Sequence, residues 1–501
     1  MISQRPVVEW LVRGAPWDRV PEVIETHAAF VFLVGDRAYK LKKAVDLGYL
    51  DFSTPERRRG ALERELILNR RTAPAIYLRI VPVTHVGDGV FALDGNGDVV
   101  DWLLEMQRFP SDALLTGLAE RGQLDDAMVE RLAAHIADFH DRAEVIAAYD
   151  WPAAVARIAR ENADDLRAQT ELFGAGAVAA AIAAQQAGMA ACAKTLERQS
   201  ADVRHCHGDL HLGNVFLDRG RPTLFDCIEF DDFYATIPPL YDLAFLLMDL
   251  LAREAPRLAN RTLNAWFIHR ERGRWRDTLQ SFAVLPLYLM LRAEIRAKTE
   301  GRRPGGNDAA RRYLALAGKV AGPPRPRLIA IGGLSGTGKS SLAKELAWRV
   351  GSAAGAVHLR SDEMRKRMAG VPLTERLNAG AYTQDASTRV YAELFELADT
   401  ALKSGQAVVL DAVFARETER SKAAAVAADI GVAFNGLWLE APAQILEQRL
   451  AARRHDPSDA DAVVLRRQLT YDLGRIDWHR VDVSGSADEV VQAAQRYLSL
   501  D

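Results

Sequence analysis

The pattern of apolar and polar residues changes character along this chain. Residues 28–45 hold two β-rich runs on either side of Gly35-Asp36, a dipeptide typical of a hairpin turn. A helical pattern spans residues 55–71. Further strands are predicted over three apolar runs, residues 80–86, 89–93 and 99–109. From Asp125 onward apolar residues recur at helical spacing, so the pattern predicts a small β-rich lobe followed by a larger helical lobe.

A run of helix-breaking residues marks the predicted domain boundary. The stretch AGPPRP, residues 321–326, cannot continue a helix, because its prolines lack the backbone donor and restrict the residues before them. An apolar strand pattern, LIAIGG, follows at once. We therefore predict two domains that meet near Gly322. The first is 1–322, with a small lobe at about 28–108 and a helical lobe at about 109–320, and the second is 323–501.

Composition and charge exclude several classes of protein. The chain has 501 residues, of which 49% are hydrophobic and 26% charged, as in ordinary globular domains. Its net charge of −3 gives no overall attraction to nucleic acid or to an anionic membrane. Three cysteines do not make a secreted disulfide framework, and residues 1–18 lack the apolar core of a signal peptide. The uncharged stretch 173–193 is rich in Ala, Gly and Gln, which favours a soluble helix over a membrane span. We therefore expect a cytoplasmic protein that does not bind membranes, and the charge argues against nucleic acid as its partner.

The stretch HGDLHLGN, residues 207–214, carries the first candidate site. Asp209 and Asn214 stand five residues apart, which is the D-x-x-x-x-N spacing of a kinase catalytic loop. Asp226 ends an apolar, strand-like run twelve residues further on. Phosphoryl transfer to a hydroxyl needs a carboxylate that accepts the hydroxyl proton, and oxygen ligands for the Mg²⁺ that neutralises the phosphates. These three residues therefore indicate phosphoryl transfer.

Residues 28 to about 300 resemble the aminoglycoside phosphotransferase-like, or choline-kinase-like, branch of the protein-kinase fold. The resemblance implies an α+β bilobal domain of the protein-kinase type. It implies that Asp209 is the catalytic base, that Asn214 and Asp226 bind Mg²⁺, and that His207 holds the loop. Asp242, in the segment YDLAFLL, would have a structural role.

The same resemblance implies a nucleotide site on the hairpin and the helix after it. Lys40 fits the phosphate-binding lysine, and Lys42 on the same strand face is its rival. The ion-pair partner of this lysine is predicted to be Glu65, with Glu63 as the alternative. The dipeptide Glu105-Met106, in the run that enters the helical lobe, would line the adenine ring.

Other residues near the catalytic segments have plainer interpretations. Cys227-Ile228 stands where protein kinases have Phe-Gly, which argues against an activation switch of the protein-kinase type. Cys206 and Cys227 adjoin the two catalytic segments and are interpreted as buried small residues rather than as a redox switch. The acidic run 229–232 is interpreted as a solvated loop, and a binding surface for a cationic acceptor is the alternative.

The second half of the chain contains a phosphate-binding loop. GLSGTGKS, residues 333–340, fits G-x-x-x-x-G-K-[ST] and lies between an apolar strand and a helix start, the context that identifies a P-loop. Backbone N–H groups from Gly336 to Lys339 would surround the phosphates, and the Lys339 side chain would reach the β- and γ-phosphates. Ser340 would also bind Mg²⁺. The predicted nucleotide-binding set is Gly333, Gly336, Thr337, Gly338, Lys339, Ser340 and Ser341.

Residues 327–498 resemble small P-loop kinases of the gluconate-kinase, polynucleotide-kinase and zeta-toxin kind. The resemblance implies an α/β P-loop domain with a parallel sheet between helices. It implies that Asp362 is the base and that Arg365 contacts the substrate or its phosphate. It places Arg449 and Arg453 in a lid over the phosphoryl group, and Asp411 as a Walker-B-like ligand of Mg²⁺ or water.

The whole chain therefore resembles a bifunctional fusion of an aminoglycoside phosphotransferase-like kinase with a P-loop kinase. Both halves are expected to use ATP and Mg²⁺ to phosphorylate a hydroxyl of a small molecule, and two successive phosphorylations of one metabolite would explain the pairing. Two alternatives stay open. One half could be a nucleotide-sensing regulatory scaffold, although the predicted catalytic residues of both halves are intact. The second half could instead phosphorylate nucleic-acid 5′ ends.

Overall fold

The computed structural model describes residues 4–26, 28–46, 50–87, 90–377, 379–452 and 462–500. They form two compact units. Unit 1 consists of Met1–Leu124, Ala143–Ala147 and Val203–Asp242, and unit 2 consists of Asp125–Arg142, Ala148–Asp202 and Leu243–Asp501. Because unit 2 holds helical segments of the first half together with residues 323–501, the compact units do not follow the predicted boundary near Gly322, which stays a prediction.

Unit 1 begins with an antiparallel sheet. Its six strands among the described residues are β1 (Glu22–Glu25), β2 (Ala29–Val34), β3 (Arg37–Lys42), β4 (Tyr77–His85), β5 (Phe91–Leu93) and β6 (Asp98–Gln107). Their order is β1-β2-β3-β6-β4-β5. Gly35 closes the β2–β3 turn with a φ of 58°, in the left-handed region that favours glycine. The antiparallel sheet predicted for the small lobe is confirmed.

A short helix, α1 (Gln4–Val12), packs against this sheet. Val7 and Leu11 lie one turn apart on its inner face and are buried with Phe32 and Leu41 of the sheet. The sequence analysis predicted neither α1 nor β1. Nine residues of helix and four exposed strand residues give too short a pattern to identify.

Helix α2 (Pro55–Asn69) carries a candidate site residue on its buried face. The Thr54 side chain caps the helix by accepting a hydrogen bond from the Arg57 backbone N–H at 3.3 Å, and Pro55 occupies the first turn. Glu65 lies one turn after Leu62, and both are fully buried. A carboxylate in that position needs a cationic partner, because an unpaired buried charge is costly.

The remainder of unit 1 positions the candidate catalytic segments. It contains helix α3 (Leu115–Glu120) and the short strands β7 (Arg204–His205), β8 (Val215–Asp218), β9 (Arg221–Leu224) and β10 (Thr236–Ile237). Strand β7 pairs with β10 and β8 pairs with β9, both antiparallel. The segment with Asp209 and Asn214 therefore joins β7 to β8, and Asp226 follows β9 after a single residue.

Helices form the first part of unit 2. They are α4 (Asp126–Arg142), α5 (Trp151–Ala168), α6 (Thr170–Phe173), α7 (Ala175–Gln199), α8 (Pro239–Ala252), whose first four residues belong to unit 1, α9 (Pro256–His269), α10 (Trp275–Ser281), α11 (Leu285–Gly301) and α12 (Asn307–Val320). Large aromatic side chains fill their core, and the polar tips are satisfied. Trp151 Nε1 donates to Tyr288 Oη at 2.6 Å, and Trp266 Nε1 donates to His140 Nδ1 at 3.0 Å. The predicted run of helices from Asp125 onward is confirmed.

Helix α7 is alanine-rich and mostly exposed. The helical stretch Ala175–Asp202 is long and apolar enough to cross a membrane by length and composition, with a mean hydropathy of 1.3 and 11% of that window buried. On its inner face the Gln185 Nε2 donates to the carboxylate of Glu294 at 2.5 Å. Burial raises the pKa of Glu294 to about 7. The interpretation of α7 as a soluble helix stays a prediction.

The second part of unit 2 is a parallel sheet between helices. Its strands are β11 (Arg327–Gly333), β12 (Val357–Arg360), β13 (Val408–Asp411), β14 (Ala433–Glu440) and β15 (His479–Asp482), in the order β12-β13-β11-β14-β15. Its helices are α13 (Lys339–Ala347), α14 (Ser361–Met368), α15 (Gln384–Lys403), α16 (Glu417–Ile430), α17 (Ala443–Ala452), α18 (Ala462–Gln468) and α19 (Ala487–Leu498). Residues 328–331 of β11 and 408–410 of β13 are fully buried, as expected for strands covered on both faces. The predicted α/β P-loop class is confirmed.

The strand register brings the candidate residues of the second half to one edge of this sheet. Asp411, the last residue of β13, pairs with Ile331 of β11 and with Arg360, the last residue of β12. The P-loop begins at Gly333, the last residue of β11. Ligands of open α/β sheets bind outside the carboxyl ends of the strands, so this edge is the expected site.

Candidate functional sites

The first site contains the loop between β7 and β8. The Asn214 side-chain amide donates to the Asp209 backbone carbonyl and to Asp209 Oδ2, both at 2.9 Å. These two hydrogen bonds join the ends of the segment 209–214 and fix its conformation. Asn214 is buried, whereas the Asp209 side chain is 37% exposed and within reach of an acceptor. Because the amide nitrogen faces Asp209, the amide oxygen of Asn214 is the atom that a cation would use.

Asp242 and His207 hold this loop from within unit 1. The Asp242 carboxylate accepts hydrogen bonds from the backbone N–H groups of His207 and Gly208, both at 3.0 Å. His207 Nε2 lies 2.9 Å from the carbonyl oxygen of Phe225, the residue before Asp226. Gly208 has a φ of 85°, which strongly favours glycine at this turn. These contacts agree with the roles that the resemblance implies for Asp242 and His207, which is to hold the loop. The roles themselves stay predictions.

Asp226 has a strained backbone that two further side chains support. Its φ of 60° is uncommon for a residue other than glycine and costs free energy that the surroundings must offset. Its backbone N–H donates to Tyr77 Oη at 3.1 Å, and the next N–H, of Cys227, donates to Asn69 Oδ1 at 2.9 Å. Sequence reasoning did not find Tyr77 or Asn69, because neither lies in a motif and both reach Asp226 only through the fold.

Lys40 and Lys42 both reach the carboxylate of Glu65. Lys40 Nζ lies 2.7 Å from Glu65 Oε1 and 3.0 Å from Asp226 Oδ1. Lys42 Nζ lies 2.7 Å from Glu65 Oε2 and also pairs with Glu229. The alternative partner, Glu63, instead pairs with Arg59 in an exposed ion pair. Lys40 is thus the lysine beside Asp226, and its phosphate-binding role stays a prediction.

The electrostatics of this network favour its charged form. Burial by itself would lower the pKa of Lys40, but the carboxylates of Asp226 and Glu65 outweigh burial and hold it well above the ordinary lysine value. Burial by itself would raise the pKa of Glu65, but Lys40 and Lys42 lower it to about 2. The network therefore holds two ammonium groups in fixed positions, and Lys40 is placed as the resemblance implies for a lysine that binds nucleotide phosphate.

The remaining predicted residues of the first half lie in paired structure. Glu105 and Met106 pair with β3 on one side and β4 on the other, so their backbone groups face neighbouring strands. Their contact with adenine stays a prediction. In the acidic run, Glu229 pairs with Lys42, and Asp232 pairs with Arg64 and lies 3.2 Å from His205 Nε2. These pairings give no support to a cationic acceptor.

The two cysteines beside the catalytic segments, Cys206 and Cys227, are buried thiols. The Cys206 thiol donates to the carbonyl of Ile237 at 3.3 Å, which is a structural contact. Cys227 is 1% exposed. Burial of both small side chains agrees with the interpretation drawn from the sequence.

In the second site, glycine allows the P-loop to surround a phosphate group. Gly333, Gly336 and Gly338 have φ values of 141°, 87° and 82°. A Cβ on Gly333 would lie 2.5 Å from the Leu439 carbonyl oxygen, and one on Gly336 would lie 2.8 Å from that of Leu446. Helix α13 starts directly after Gly338, so its first N–H groups face the loop. The loop therefore fits the phosphate groups of a nucleotide.

Side chains around this loop complete its conformation. The Lys339 ammonium and the Thr337 hydroxyl both donate to the Leu334 carbonyl, at 3.0 Å and 2.8 Å. The Ser335 N–H donates to Gln468 Oε1 at 2.7 Å, a contact that the sequence did not indicate. Ser340 and Ser341 lie in the first turn of α13. Lys339 would exchange the Leu334 carbonyl for phosphate oxygens when a nucleotide binds.

Asp411 is a buried carboxylate whose basic neighbours are His358, Arg360 and Lys339. Its Oδ2 lies 3.5 Å from both His358 Nε2 and Arg360 Nε. Burial by itself would raise the pKa of Asp411, but His358, Arg360 and Lys339 lower it to about 2. A buried, ionised oxygen donor next to the P-loop fits Mg²⁺, which prefers carboxylate and hydroxyl oxygens. Sequence reasoning missed His358 and Arg360, although both stand on the strand that ends at the site.

The structure describes three of the four residues predicted for the acceptor side and the lid of the second site. Asp362 lies in the first turn of α14 and is half-buried. Arg365 is buried and donates to the Ala381 carbonyl at 2.7 Å, so in this structure it supports a neighbouring turn. Arg449 donates to the carbonyl of Val483, the residue after β15, at 2.7 Å. Arg453 lies outside the described residues. The catalytic roles of these residues stay predictions.

Comparison with known proteins agrees with this two-part organisation. The model of the phosphotransferase enzyme family matches residues 36–277, and the model described as an AAA domain matches residues 328–471. The curated relatives include "Uncharacterized protein Rv2004c" of Mycobacterium tuberculosis (strain ATCC 25618 / H37Rv) and "Uncharacterized protein Mb2027c" of Mycobacterium bovis (strain ATCC BAA-935 / AF2122/97). Each is 31% identical over 493 residues, which cover 94% of this chain and 94% of the relative.

Two solved structures illustrate the likeness of each half. A gluconokinase from Sinorhizobium meliloti 1021 is 24% identical and covers 35% of this chain and 92% of its own, with a TM-score of 0.26. The aminoglycoside phosphotransferase APH(4)-Ia is 15% identical and covers 63% of this chain and 97% of its own, with a TM-score of 0.38. The chain belongs to the family of the two mycobacterial proteins, and it is a nucleotide-using phosphotransferase of kinase type in which a phosphotransferase enzyme family domain precedes a P-loop domain.

Proposed function

We propose that this protein transfers the γ-phosphoryl group of ATP to a hydroxyl of a small molecule at each of two Mg²⁺-dependent sites. The observation that supports the proposal is that two carboxylates of the first site have different partners. Asp209 is bonded to Asn214, whereas Asp226 is bonded to Lys40. In the proposed reaction Asp209 faces the acceptor and Asp226 faces the nucleotide. A kinase needs both an acceptor-side and a metal-side carboxylate, and a binding scaffold needs only the second.

In the first site, bound Mg²⁺–ATP would supply the phosphoryl group and the metal charge. The Lys40 ammonium would leave Asp226 and bind phosphate oxygens, while Glu65 would keep that ammonium in place. Asp226 and the amide oxygen of Asn214 would then be the protein ligands of the metal. Asp209 would orient the acceptor hydroxyl and accept its proton.

In the second site, the same tasks fall to the P-loop and two carboxylates. Lys339 and the N–H groups of residues 336–339 would bind the phosphates, and Ser340 and Asp411 would hold Mg²⁺. Asp411 is ionised at neutral pH because its pKa is lowered to about 2. Asp362 would accept the proton of the acceptor hydroxyl.

We further propose a cytoplasmic location and a small-molecule acceptor rather than nucleic acid. The net charge of −3 gives no electrostatic attraction to a polyanion. Two successive phosphorylations of one metabolite remain our preferred relation between the sites, since both would then serve one pathway intermediate. Regulation of one site by the other is the second candidate.

The test is a screen of hydroxyl-bearing metabolites with radiolabelled ATP and Mg²⁺. Four full-length proteins are compared: the wild type, Asp209→Asn, Lys339→Ala and the double variant. We expect Asp209→Asn and Lys339→Ala each to remove a labelled product. If the two phosphorylations are successive, the substitution at the site that acts first removes both products. If the double variant labels the same products as the wild type, the assignment of both sites is wrong.

A further inference from the structure

Helix α9 binds the open edge of the parallel sheet. Strand β12 lies at one edge of the sheet, so one row of its backbone groups has no strand partner among the described residues. The Asn264 side chain fills this position: its Oδ1 accepts the His358 N–H at 2.7 Å, and its Nδ2 donates to the Ala356 carbonyl at 3.1 Å. Asn260, one helical turn earlier, donates to the carbonyls of Ala354 and Ala356 at 2.7 Å and 3.0 Å.

Helix formation alone does not explain why α9 contains Asn260 and Asn264. Asparagine is a poor helix former, and a buried amide is costly unless it is hydrogen-bonded. Asn260 is 1% exposed, and its Nδ2 donates to backbone carbonyls outside its own helix. The placement of Asn260 and Asn264 four residues apart puts both on the face of α9 that meets β12.

The far end of α9 binds a second element of the P-loop region. Arg367, in the last turn of α14, donates through Nη2 to the carbonyls of His269 and Arg270, at 3.2 Å and 2.9 Å. These carbonyls end α9 and have no partner within the helix, so a guanidinium there satisfies them and complements the helix dipole. Arg270 is itself fixed by Asp141 at 2.7 Å.

The two segments that α9 contacts lie on either side of residues assigned to the second site. Between His358 and Arg367 lie Arg360, at the end of β12, and Asp362, in the first turn of α14. The His358 ring and Arg360 both face Asp411. The chain therefore clamps the segment 358–367 at both ends to a helix that lies within the phosphotransferase match, residues 36–277.

We propose that α9 positions the catalytic segment of the P-loop site, with Asn264 and Arg367 as positioning residues. This inference rests on the proposed function of the second site. Asn264 fixes the backbone of His358, which lies two residues before Arg360 and four before Asp362. Arg367 fixes α14, and with it Asp362. The P-loop itself, which holds the nucleotide, is not part of the clamped segment, so the clamp acts on turnover rather than on nucleotide affinity.

The test uses the full-length protein with Asp209→Asn, which silences transfer at the first site. Release of inorganic phosphate from Mg²⁺–ATP, with water as acceptor, reports the second site. We expect Asn264→Ala and Arg367→Met to lower kcat by about 10- to 100-fold with KM for ATP unchanged, since small misplacements of reacting groups have such effects. Arg367→Lys keeps a cation at the helix end and should restore most of the loss.

A second measurement does not need activity. Hydrogen–deuterium exchange of the peptide containing residues 356–360 should speed up in Asn264→Ala, because the His358 N–H loses its acceptor. Arg276→Ala is the matched control. It breaks another contact between a first-half helix, α10, and the P-loop region, an exposed ion pair with Glu393 and Glu396, and should leave kcat and exchange of residues 356–360 as in the parent.

The outcomes separate the two proposals. A fall in kcat with unchanged KM, together with faster exchange, supports the positioning role. Faster exchange with an unchanged kcat, or equal losses in Arg276→Ala, overturns it. If Asn264→Ala does not fold, Arg367→Met and its Arg367→Lys rescue decide. Phosphate release that is no higher in the parent than in a Lys339→Ala version of it would instead overturn the proposed function of the second site.

Discussion

The two candidate sites position the groups that are predicted to bind phosphate by different means. In the first site the residues are distant in sequence: Lys40 reaches Glu65 and Asp226, which are 25 and 186 residues away. In the second site the phosphate cradle is one continuous loop, residues 333–340, that leads into α13. The phosphate-binding groups of the first site therefore depend on tertiary folding, whereas the P-loop of the second site depends mainly on local backbone conformation.

Both sites nevertheless share one electrostatic arrangement, a buried carboxylate surrounded by basic side chains. Each holds a buried carboxylate that burial would protonate and that neighbouring cations keep ionised, with the pKa lowered to about 2. Lys40 and Lys42 do this for Glu65, and His358, Arg360 and Lys339 do it for Asp411. The cations are thus oriented before any nucleotide arrives, which is the preorganisation that favours phosphoryl transfer.

The largest expected effect is that of Lys339→Ala. Turnover at the second site should fall about 100- to 1000-fold, because the substitution removes charge from the transferring group without opening a core cavity. Phosphate release in the Asp209→Asn background measures it, and the melting temperature should stay near that of the parent. Lys344→Ala, on the same helix but paired with Glu130, is the control and should be nearly silent. Equal effects of the two substitutions would contradict the P-loop assignment.

The next effect concerns the pH dependence of stability. The pKa of Glu65 is lowered from 4.5 to about 2 in the folded protein, so its ionised form contributes stability that is present above pH 4.5 and lost as the pH falls towards 2. A shift of this size corresponds to about 3 kcal/mol. In Glu65→Gln the free energy of unfolding, measured by urea titration at several pH values, should depend less steeply on pH across this window. Glu63→Gln should keep the slope of the wild type.

The third prediction separates the two lysines of the first site. Lys40→Met should lower first-site turnover by about 10- to 100-fold, because Lys40 is the lysine in contact with Asp226. Lys42→Met should have a smaller effect, since its contacts are with Glu65 and Glu229. Turnover of Mg²⁺–ATP in the Lys339→Ala background is the measurement. A larger loss in Lys42→Met would reverse the assignment.

The smallest effect is expected from Tyr77→Phe. The substitution removes the acceptor of the Asp226 N–H and leaves that amide without its bond to Tyr77. The loss of about 1 kcal/mol should reduce first-site turnover by about fivefold, and a higher Mg²⁺ concentration should recover part of it. If the Mg²⁺ dependence of turnover does not change, Tyr77 does not help to position Asp226.

The comparison also explains which parts of the molecule the sequence could predict. The P-loop and the Asp209–Asn214 spacing are short and contiguous, so their chemistry can be identified from residue order. Tyr77, Asn69 and His358 act through contacts that the fold creates, and no local pattern marks them. Strands β2 to β6 of the small lobe follow from apolar runs and turn residues, whereas β1, with four exposed residues, has no such pattern. The binding of α9 to β12 joins residues more than 90 positions apart, so no local pattern predicts it.

The most direct test of two working sites compares Asp209→Asn with Asp226→Asn, each in the Lys339→Ala background. Calorimetric binding of Mg²⁺–ATP is measured beside formation of the first-site product. Asp209→Asn should bind Mg²⁺–ATP like its parent while product formation falls about 100- to 10,000-fold, because only the acceptor proton loses its base. Asp226→Asn should weaken Mg²⁺–ATP binding itself. If both variants bind and react like the parent, or if the parent binds no Mg²⁺–ATP at this site, the first half is not a kinase.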